Sequence, residues 1–107
     1  MIDVGAMCDG TFELRFCLPL DHPGRPIGVA GDFNDWAWEQ TPFRVVHGQL
    51  IASTVVTASG RYEFRYRTAD DSWFNDDQAG DYVPNEFGGC NCLVDVPAPI
   101  PPPAPEA

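Results

Sequence analysis

The feature that most constrains the fold is an alternation of apolar and polar residues with a period of two. Residues 62–67 alternate aromatic and charged side chains, and residues 12–18 alternate in the same way up to Pro19. Successive side chains of a β-strand point to opposite faces of a sheet, so each segment buries one face and exposes the other. No segment shows the period of 3.6 residues that is typical of an amphipathic helix. The pattern predicts an all-β protein.

Further short strands are expected between turn signals. They are predicted over residues 27–33, 43–46, 49–57, 72–74 and 91–96. His47-Gly48 is a hairpin signal, and residues 75–89 form a long polar stretch. Roughly six or seven short strands, spaced about 8–12 residues apart, are typical of an immunoglobulin-like β-sandwich.

The length of 107 residues suits one domain. We expect a flexible N-terminus at residues 1–10, the folded domain at residues 11–96 and a proline-rich tail at residues 97–107. Proline has no backbone N–H to donate, so the tail is predicted to be extended and polyproline-like.

The charge of the chain excludes some partners. Sixteen acidic side chains stand against six basic ones, which gives a formal net charge of −10. Such a surface repels phosphate backbones and anionic lipids, so neither nucleic acid nor a membrane is an expected partner. No segment is long and apolar enough to span a bilayer, and no signal peptide is evident.

The cysteines indicate a compartment rather than a metal site. Cys8, Cys17, Cys90 and Cys92 do not have the spacing of zinc ligands. Sequence alone leaves a disulfide open, but without a secretion signal we favour reduced thiols in the cytoplasm.

Four motifs occur in a fixed order: GDFNDW at 31–36, GRYEFRY at 60–66, SW at 72–73 and PNEFGGCN at 84–91. Together they resemble the family 48 carbohydrate-binding module. This family is also called the isoamylase N-terminal or early-set domain, and it is similar to the glycogen-binding domain of AMP-activated kinase β subunits. The resemblance covers about residues 12–96 and implies an early-set immunoglobulin-like sandwich.

The resemblance also implies binding of an α-glucan such as glycogen, starch or a maltooligosaccharide. It assigns stacking on glucose rings to Trp36 and Trp73, and hydrogen bonds to sugar hydroxyls to Arg65 and Asn91. It assigns Phe87 as the apolar residue that reaches the glucan from the last loop. The alternation in residues 62–67 independently places Arg65 on the face opposite the aromatic residues.

Several alternatives stay open at this point. Trp36 is either exposed or a core plug at the end of the sandwich, and Trp73 is either exposed or packed under residues 75–89. Trp38 is a secondary binding candidate, and Asn91 is alternatively a loop cap. The whole chain is alternatively a protein-interaction or regulatory domain that no longer binds carbohydrate. It is also alternatively a structural domain of a larger glycogen or starch enzyme, with that enzyme or another protein as partner.

Catalysis has little support in the sequence. Glycoside hydrolysis needs two carboxylates fixed in a cleft. The pairs Asp70-Asp71 and Asp76-Asp77 lie in predicted turns, and we interpret them as solvated. Together with Asp81 they lack the spacing of a calcium loop. We therefore expect no catalytic residue, no metal and no cofactor.

Overall fold

The computed structural model describes residues 2–7, 10–23, 25–76, 79–85 and 89–97. Within these ranges the chain forms nine strands and one 3₁₀ turn, which is η1 (Trp38–Gln40). The strands are β1 (Ile2–Ala6), β2 (Phe12–Pro19), β3 (Pro26–Gly31), β4 (Arg44–Val46), β5 (Gln49–Val56), β6 (Gly60–Thr68), β7 (Trp73–Phe74), β8 (Asp81–Pro84) and β9 (Cys90–Val96).

The strands form two antiparallel sheets. The first sheet has the order β1-β2-β5-β4, and the second has the order β3-β6-β9-β8, with β7 paired to the end of β6. Lettering β1 to β6 as A to F and β9 as G gives sheets A-B-E-D and C-F-G, the arrangement of immunoglobulin constant-type domains. The predicted immunoglobulin-like β-sandwich is confirmed, and β7 and β8 are additions to it.

The core lies between the two sheets and is built by the alternation seen in the sequence. Along β2 every second residue from Phe12 to Leu18 is buried, and along β6 Phe64 and Tyr66 are fully buried. The Phe16 and Phe64 rings meet across the sheets with centroids 5.0 Å apart. The buried cluster consists of Phe12, Leu14, Phe16, Leu18, Val29, Ala52, Val56, Phe64, Tyr66, Cys92, Val94 and Val96.

The strand β6 also determines where the polar face lies. It is flanked by β3 on one side and by β9 and β7 on the other. Since Phe64 and Tyr66 point into the core, the alternate residues Glu63 and Arg65 lie on the outer face of the second sheet. The central strand β6 therefore places charged side chains on the outer face of the second sheet, where residues of the flanking strands can form a site with them.

Two strands are not predicted from the sequence. β1 pairs along its whole length with β2, from Ile2 opposite Phe16 to Ala6 opposite Phe12. The expected flexible N-terminus at residues 1–10 does not account for this edge strand. β8 pairs with β9 inside the stretch that we expected to be an irregular polar loop. The sequence signal is weak in both because each strand is short and lies at the edge of its sheet.

The β4–β5 hairpin shows why the turn signal is effective. His47 and Gly48 have φ values of 50° and 75°, and Val46 pairs directly with Gln49. Positive φ at both central residues is the geometry of a two-residue type I′ turn, which suits the twist of paired strands. The predicted hairpin is confirmed.

The carboxylate of Asp76 is buried, contrary to the expectation from the sequence. We predicted a solvated turn residue, but Asp76 is only 2 % exposed. Its Oδ2 accepts a hydrogen bond of 2.6 Å from the Tyr66 hydroxyl, and its backbone N–H donates to Cys92 Sγ. Burial, together with the adjacent Asp76 carboxylate, raises the pKa of Tyr66 strongly. Asp76 is therefore part of a polar cluster under the second sheet, because the Tyr66 hydroxyl inside the sandwich needs an acceptor.

The buried thiol next to this cluster predicts a loss of stability at alkaline pH. Cys92 is a free thiol with no exposed surface, and burial raises its pKa from 9.0 to about 11. The folded protein thus holds the proton more tightly than the unfolded chain, so stability is lost as pH rises from about 9 to about 11. We expect a loss on the order of 1–2 kcal/mol between about pH 8 and about pH 10.5.

Urea denaturation at the two pH values measures this loss. Cys92→Ala is the matched variant, since it removes the titrating thiol and should reduce the dependence even if its own stability is lower at both pH values. The loss that remains near pH 10.5 belongs to Tyr66, whose pKa is also raised in the fold. An unchanged free energy of unfolding in the wild-type protein would show that the Cys92 thiolate is accommodated in the fold.

Candidate functional site

The turn that follows β3 is held together by one buried amide. Asn34 is 7 % exposed. Its Oδ1 accepts from the Gly31 N–H at 3.0 Å, and its Nδ2 donates to Val29 O at 2.8 Å and to Thr41 Oγ1 at 2.9 Å. These three bonds join the strand end, the turn and the segment after η1. The Phe-Asn-Asp-Trp sequence therefore folds as a fixed turn rather than as a loose loop.

Trp36 lies at the end of this turn in an unusual backbone conformation. Asp35 and Trp36 have φ values of 54° and 61°, and the Trp36 N–H donates to Gly31 O at 2.9 Å. A left-handed conformation costs a residue with a side chain roughly 1–2 kcal/mol. The Trp36 side chain is nevertheless 37 % exposed, so it does not plug the core. Residues held in an unfavourable backbone conformation cluster at functional sites, and Trp36 is such a residue with an exposed aromatic ring.

Asp32 connects the turn to the neighbouring strand. The β3 and β6 backbones approach so closely here that a Cβ on Gly31 would lie 2.6 Å from Glu63 O. Immediately beyond, the Asp32 N–H donates to Glu63 O at 3.0 Å, and Asp32 Oδ2 accepts from the Glu63 N–H at 2.8 Å. Asp32 Oδ1 accepts from Trp36 Nε1 at 3.2 Å. The Trp36 ring is thus attached to β6 through one carboxylate.

Arg65 projects from the centre of the outer face of the second sheet. Its Nε donates to Asn75 Oδ1 at 2.9 Å, and Asn75 Nδ2 donates in turn to Cys90 O at 2.9 Å. Among the residues that the structure describes, the two terminal amino groups of Arg65 have no hydrogen-bond partner. The guanidinium is therefore fixed at one end and available for donation at the other.

Trp73 in β7 is half-buried. The Arg67 guanidinium lies over its ring, 5.0 Å from the ring centroid, and is held there by an ion pair of 2.7 Å with Asp71. A cation over an aromatic face fixes the ring and covers that face. The rest of the ring contributes to the groove described below.

Asn91 in β9 is more enclosed than a simple ligand-binding amide. It is 9 % exposed, its Nδ2 donates to Glu63 Oε1 at 3.0 Å, and its Oδ1 accepts from Asn85 Nδ2 at 3.1 Å. Asn85 Oδ1 accepts from the Gly89 N–H at 3.1 Å. Asn91 thus supports the β8–β9 connection, which agrees with its alternative role as a loop cap, while it still faces the groove.

These side chains line one open groove on the outer face of the second sheet. Its lining consists of Asp32, Trp36, Glu63, Arg65, Trp73, Pro84, Asn85 and Asn91. Four of the five predicted site residues are therefore together, although the first and the last are 55 positions apart along the chain. The fifth, Phe87, lies outside the described residues. Trp38 does not line the groove, because its backbone and ring pack against Gly28.

The sequence reasoning missed four polar members of this site. Asp32, Glu63, Asn75 and Asn85 contact residues up to 31 positions away, so no local pattern shows which group each of them holds. Pro84 was missed because β8 was not predicted. The available signal was a polar residue inside a recognised motif, as Asp32, Glu63 and Asn85 are.

The groove combines two chemistries. Trp36 and Trp73 offer flat apolar surfaces, and Arg65, Asn91 and Glu63 offer hydrogen-bond donors and acceptors beside them. Such a surface suits a neutral ligand that has both apolar faces and hydroxyl groups. Within the described ranges, no group of three or more His, Cys, Asp or Glu side chains is placed to hold a metal ion.

A second open groove lies on the first sheet and lacks these features. It is lined by Asp3, Arg15, Cys17, Leu18, Pro19, Leu20, Asp21, His22, Gly48, Gln49 and Ile51. It contains no tryptophan, so it offers no comparable stacking surface. It provides a natural location for control substitutions.

Comparison with known proteins adds no identification. No protein-family model matches the chain, and no curated protein matches it either. The part of the chain that the structure describes contains no helix with the length and apolar character needed to cross a membrane.

Proposed function

We propose that this chain is a non-catalytic α-glucan-binding module of the family 48 type, with glycogen, starch or maltooligosaccharides as ligands. The observation that carries the proposal is the convergence of Trp36, Arg65, Trp73 and Asn91 on one groove. These four residues come from four separate sequence motifs, at 31–36, 60–66, 72–73 and 84–91. We further propose a cytoplasmic location, consistent with free thiols at Cys90 and Cys92.

The chemistry of a glucose ring fits this groove. Its C–H faces are apolar and suit the indole surfaces that Trp36 and Trp73 present to the groove. Its hydroxyl rim suits the terminal amino groups of Arg65, which have no hydrogen-bond partner among the described residues. An aromatic contact of this kind contributes about 0.5–1.5 kcal/mol beyond the buried area, taking aromatic pairs as the guide. Two such contacts and a few hydrogen bonds predict an affinity on the order of micromolar to millimolar.

The orientation of Arg65 also fits a neutral ligand. Asn75 accepts the Arg65 Nε–H, and the Glu63 carboxylate lines the same groove. The site therefore carries charges of both signs at short range and offers donors and acceptors together. Hydroxyl groups, which donate and accept, can use both.

Affinity gel electrophoresis with glycogen and with amylose tests the proposal directly. Trp36→Ala and Trp73→Ala are each expected to weaken binding about tenfold or more, because each removes a stacking surface worth about 1.4 kcal/mol. The melting temperature should change little for Trp36→Ala, since the exposed ring fills no core volume. Calorimetric titration with maltoheptaose gives the corresponding dissociation constants.

Leu20→Ala is the matched control. Leu20 is 51 % exposed and lines the groove on the first sheet, so its truncation should leave glucan binding unchanged. If the wild-type protein binds no α-glucan at millimolar oligosaccharide, the carbohydrate proposal is wrong. The fold would then serve as a protein-interaction or regulatory domain, or as a structural domain of a larger glucan enzyme.

A further inference from the structure

We propose that Asp32 is a positioning residue that sets the orientation of the Trp36 indole as a binding surface. The inference rests on the proposed function for its consequence in binding, and on the geometry of this turn for its mechanism. Asp32 lines the groove and belongs to the motif at 31–36, but the family resemblance assigns it no role. Its role follows from the hydrogen bonds that its two carboxylate oxygens accept, one from the Trp36 indole and one from the Glu63 backbone.

Asp32 is itself rigidly placed. It forms two hydrogen bonds with the backbone of Glu63, one from its own N–H and one to its Oδ2, at 3.0 and 2.8 Å. This pair continues the antiparallel pairing of β3 with β6 one residue past Gly31. A side chain fixed by a central strand can orient a group that is itself on the surface.

Trp36 needs such an orienting group. Its ring is exposed, and its backbone is in the left-handed region, so neither core packing nor a regular strand selects one side-chain rotamer. Among the described residues, the bond from Nε1 to Asp32 Oδ1 is the only side-chain hydrogen bond of Trp36. Fixing the ring before a ligand arrives reduces the entropy that binding must overcome.

A carboxylate suits this position better than an amide does. Both groups that face Asp32 are donors, namely the Glu63 N–H and the Trp36 Nε1–H. An ionised carboxylate accepts with both oxygens, whereas an amide accepts with one oxygen and presents an NH₂ group at the other position. In Asp32→Asn the amide oxygen should keep the shorter bond to Glu63, which leaves the NH₂ group facing the indole N–H.

Asp32→Asn therefore separates ring positioning from folding. We expect its melting temperature to stay close to that of the wild type and its affinity for maltoheptaose to fall about three- to tenfold, the value of one hydrogen bond. The Trp36 indole N–H resonance should shift and exchange faster with solvent even when no sugar is present. Asp35→Asn is the matched control, because it removes the same charge next to Trp36 but no hydrogen bond to the indole.

Two double variants test whether Asp32 acts through Trp36. Asp32→Asn should have no further effect on affinity when combined with Trp36→Ala, and its full effect when combined with Trp73→Ala. Equal effects in both backgrounds, or an indole resonance like that of the wild type in Asp32→Asn, would overturn the proposal. A wild-type protein that binds no glucan but whose indole signal responds to Asp32→Asn would refute the proposed function and support the positioning role.

Discussion

Phe64→Ala is expected to lower the free energy of unfolding by about 3–5 kcal/mol, the cost of emptying an aromatic site in a packed core. Phe64 has no exposed surface, and its ring lies 5.0 Å from the Phe16 ring and 5.7 Å from the Tyr66 ring. A domain of this size has a total free energy of unfolding of about 5–15 kcal/mol, so the substitution removes a large share of it. Urea denaturation followed by tryptophan fluorescence measures the change, and the melting temperature should fall by at least about 10 °C.

Val55→Ala is the control for Phe64→Ala. Val55 lies on the outer face of β5 and is 51 % exposed, so its truncation should cost less than about 1 kcal/mol. A Phe64→Ala protein with the denaturation midpoint of the wild type would mean that the sandwich is not centred on β6.

Asn34→Ala is expected to destabilise the domain by about 2–4 kcal/mol. The substitution leaves three groups without their partner: the Gly31 N–H, the Val29 carbonyl and the buried Thr41 hydroxyl. Each unsatisfied buried group costs about 1–3 kcal/mol, and relaxation of the turn recovers part of the sum. Because this turn carries Trp36, the affinity for glucan should fall as well. The fall should be seen even well below the melting temperature of the variant, where nearly all of the protein is folded.

Asn34→Asp and Gln40→Ala complete this test. The aspartate keeps an acceptor for Gly31 but loses both N–H donors, so it should be at least as damaging as the alanine. Gln40 is an exposed residue of η1, and its truncation should have little effect on either property. A stable Asn34→Ala protein with unchanged affinity would show that the backbone bonds of the turn are sufficient by themselves.

The sheet pattern was predictable wherever the alternation of residues was strong. β2 and β6 have long apolar faces and could be located by period alone, as could the hairpin at His47. β1 and β8 could not, because edge strands bury little and their sequences include glycine, aspartate and proline. Such strands are stabilised by the partner strand, and the partner is a property of the fold rather than of the local sequence.

The site was predictable only in part for a similar reason. Trp36, Arg65, Trp73 and Asn91 belong to motifs with recognisable residue types, and the structure places them together. The groups that hold them are distant in sequence, as Asn75 is from Arg65 and Glu63 is from Asn91. Asp76 was misjudged because a turn position says nothing about whether a tyrosine hydroxyl inside the sandwich needs a carboxylate beside it.

The division of β6 into two sets of alternate residues has an evolutionary consequence. Phe64 and Tyr66 are constrained by packing in the core, whereas Glu63 and Arg65 are constrained by the ligand that occupies the groove. Drift at the outward positions can therefore change or abolish ligand preference while the inward positions keep the domain foldable. A combinatorial library restricted to Glu63 and Arg65 should yield mostly folded proteins with altered ligand preference, which makes this strand a practical place to select new binding specificities.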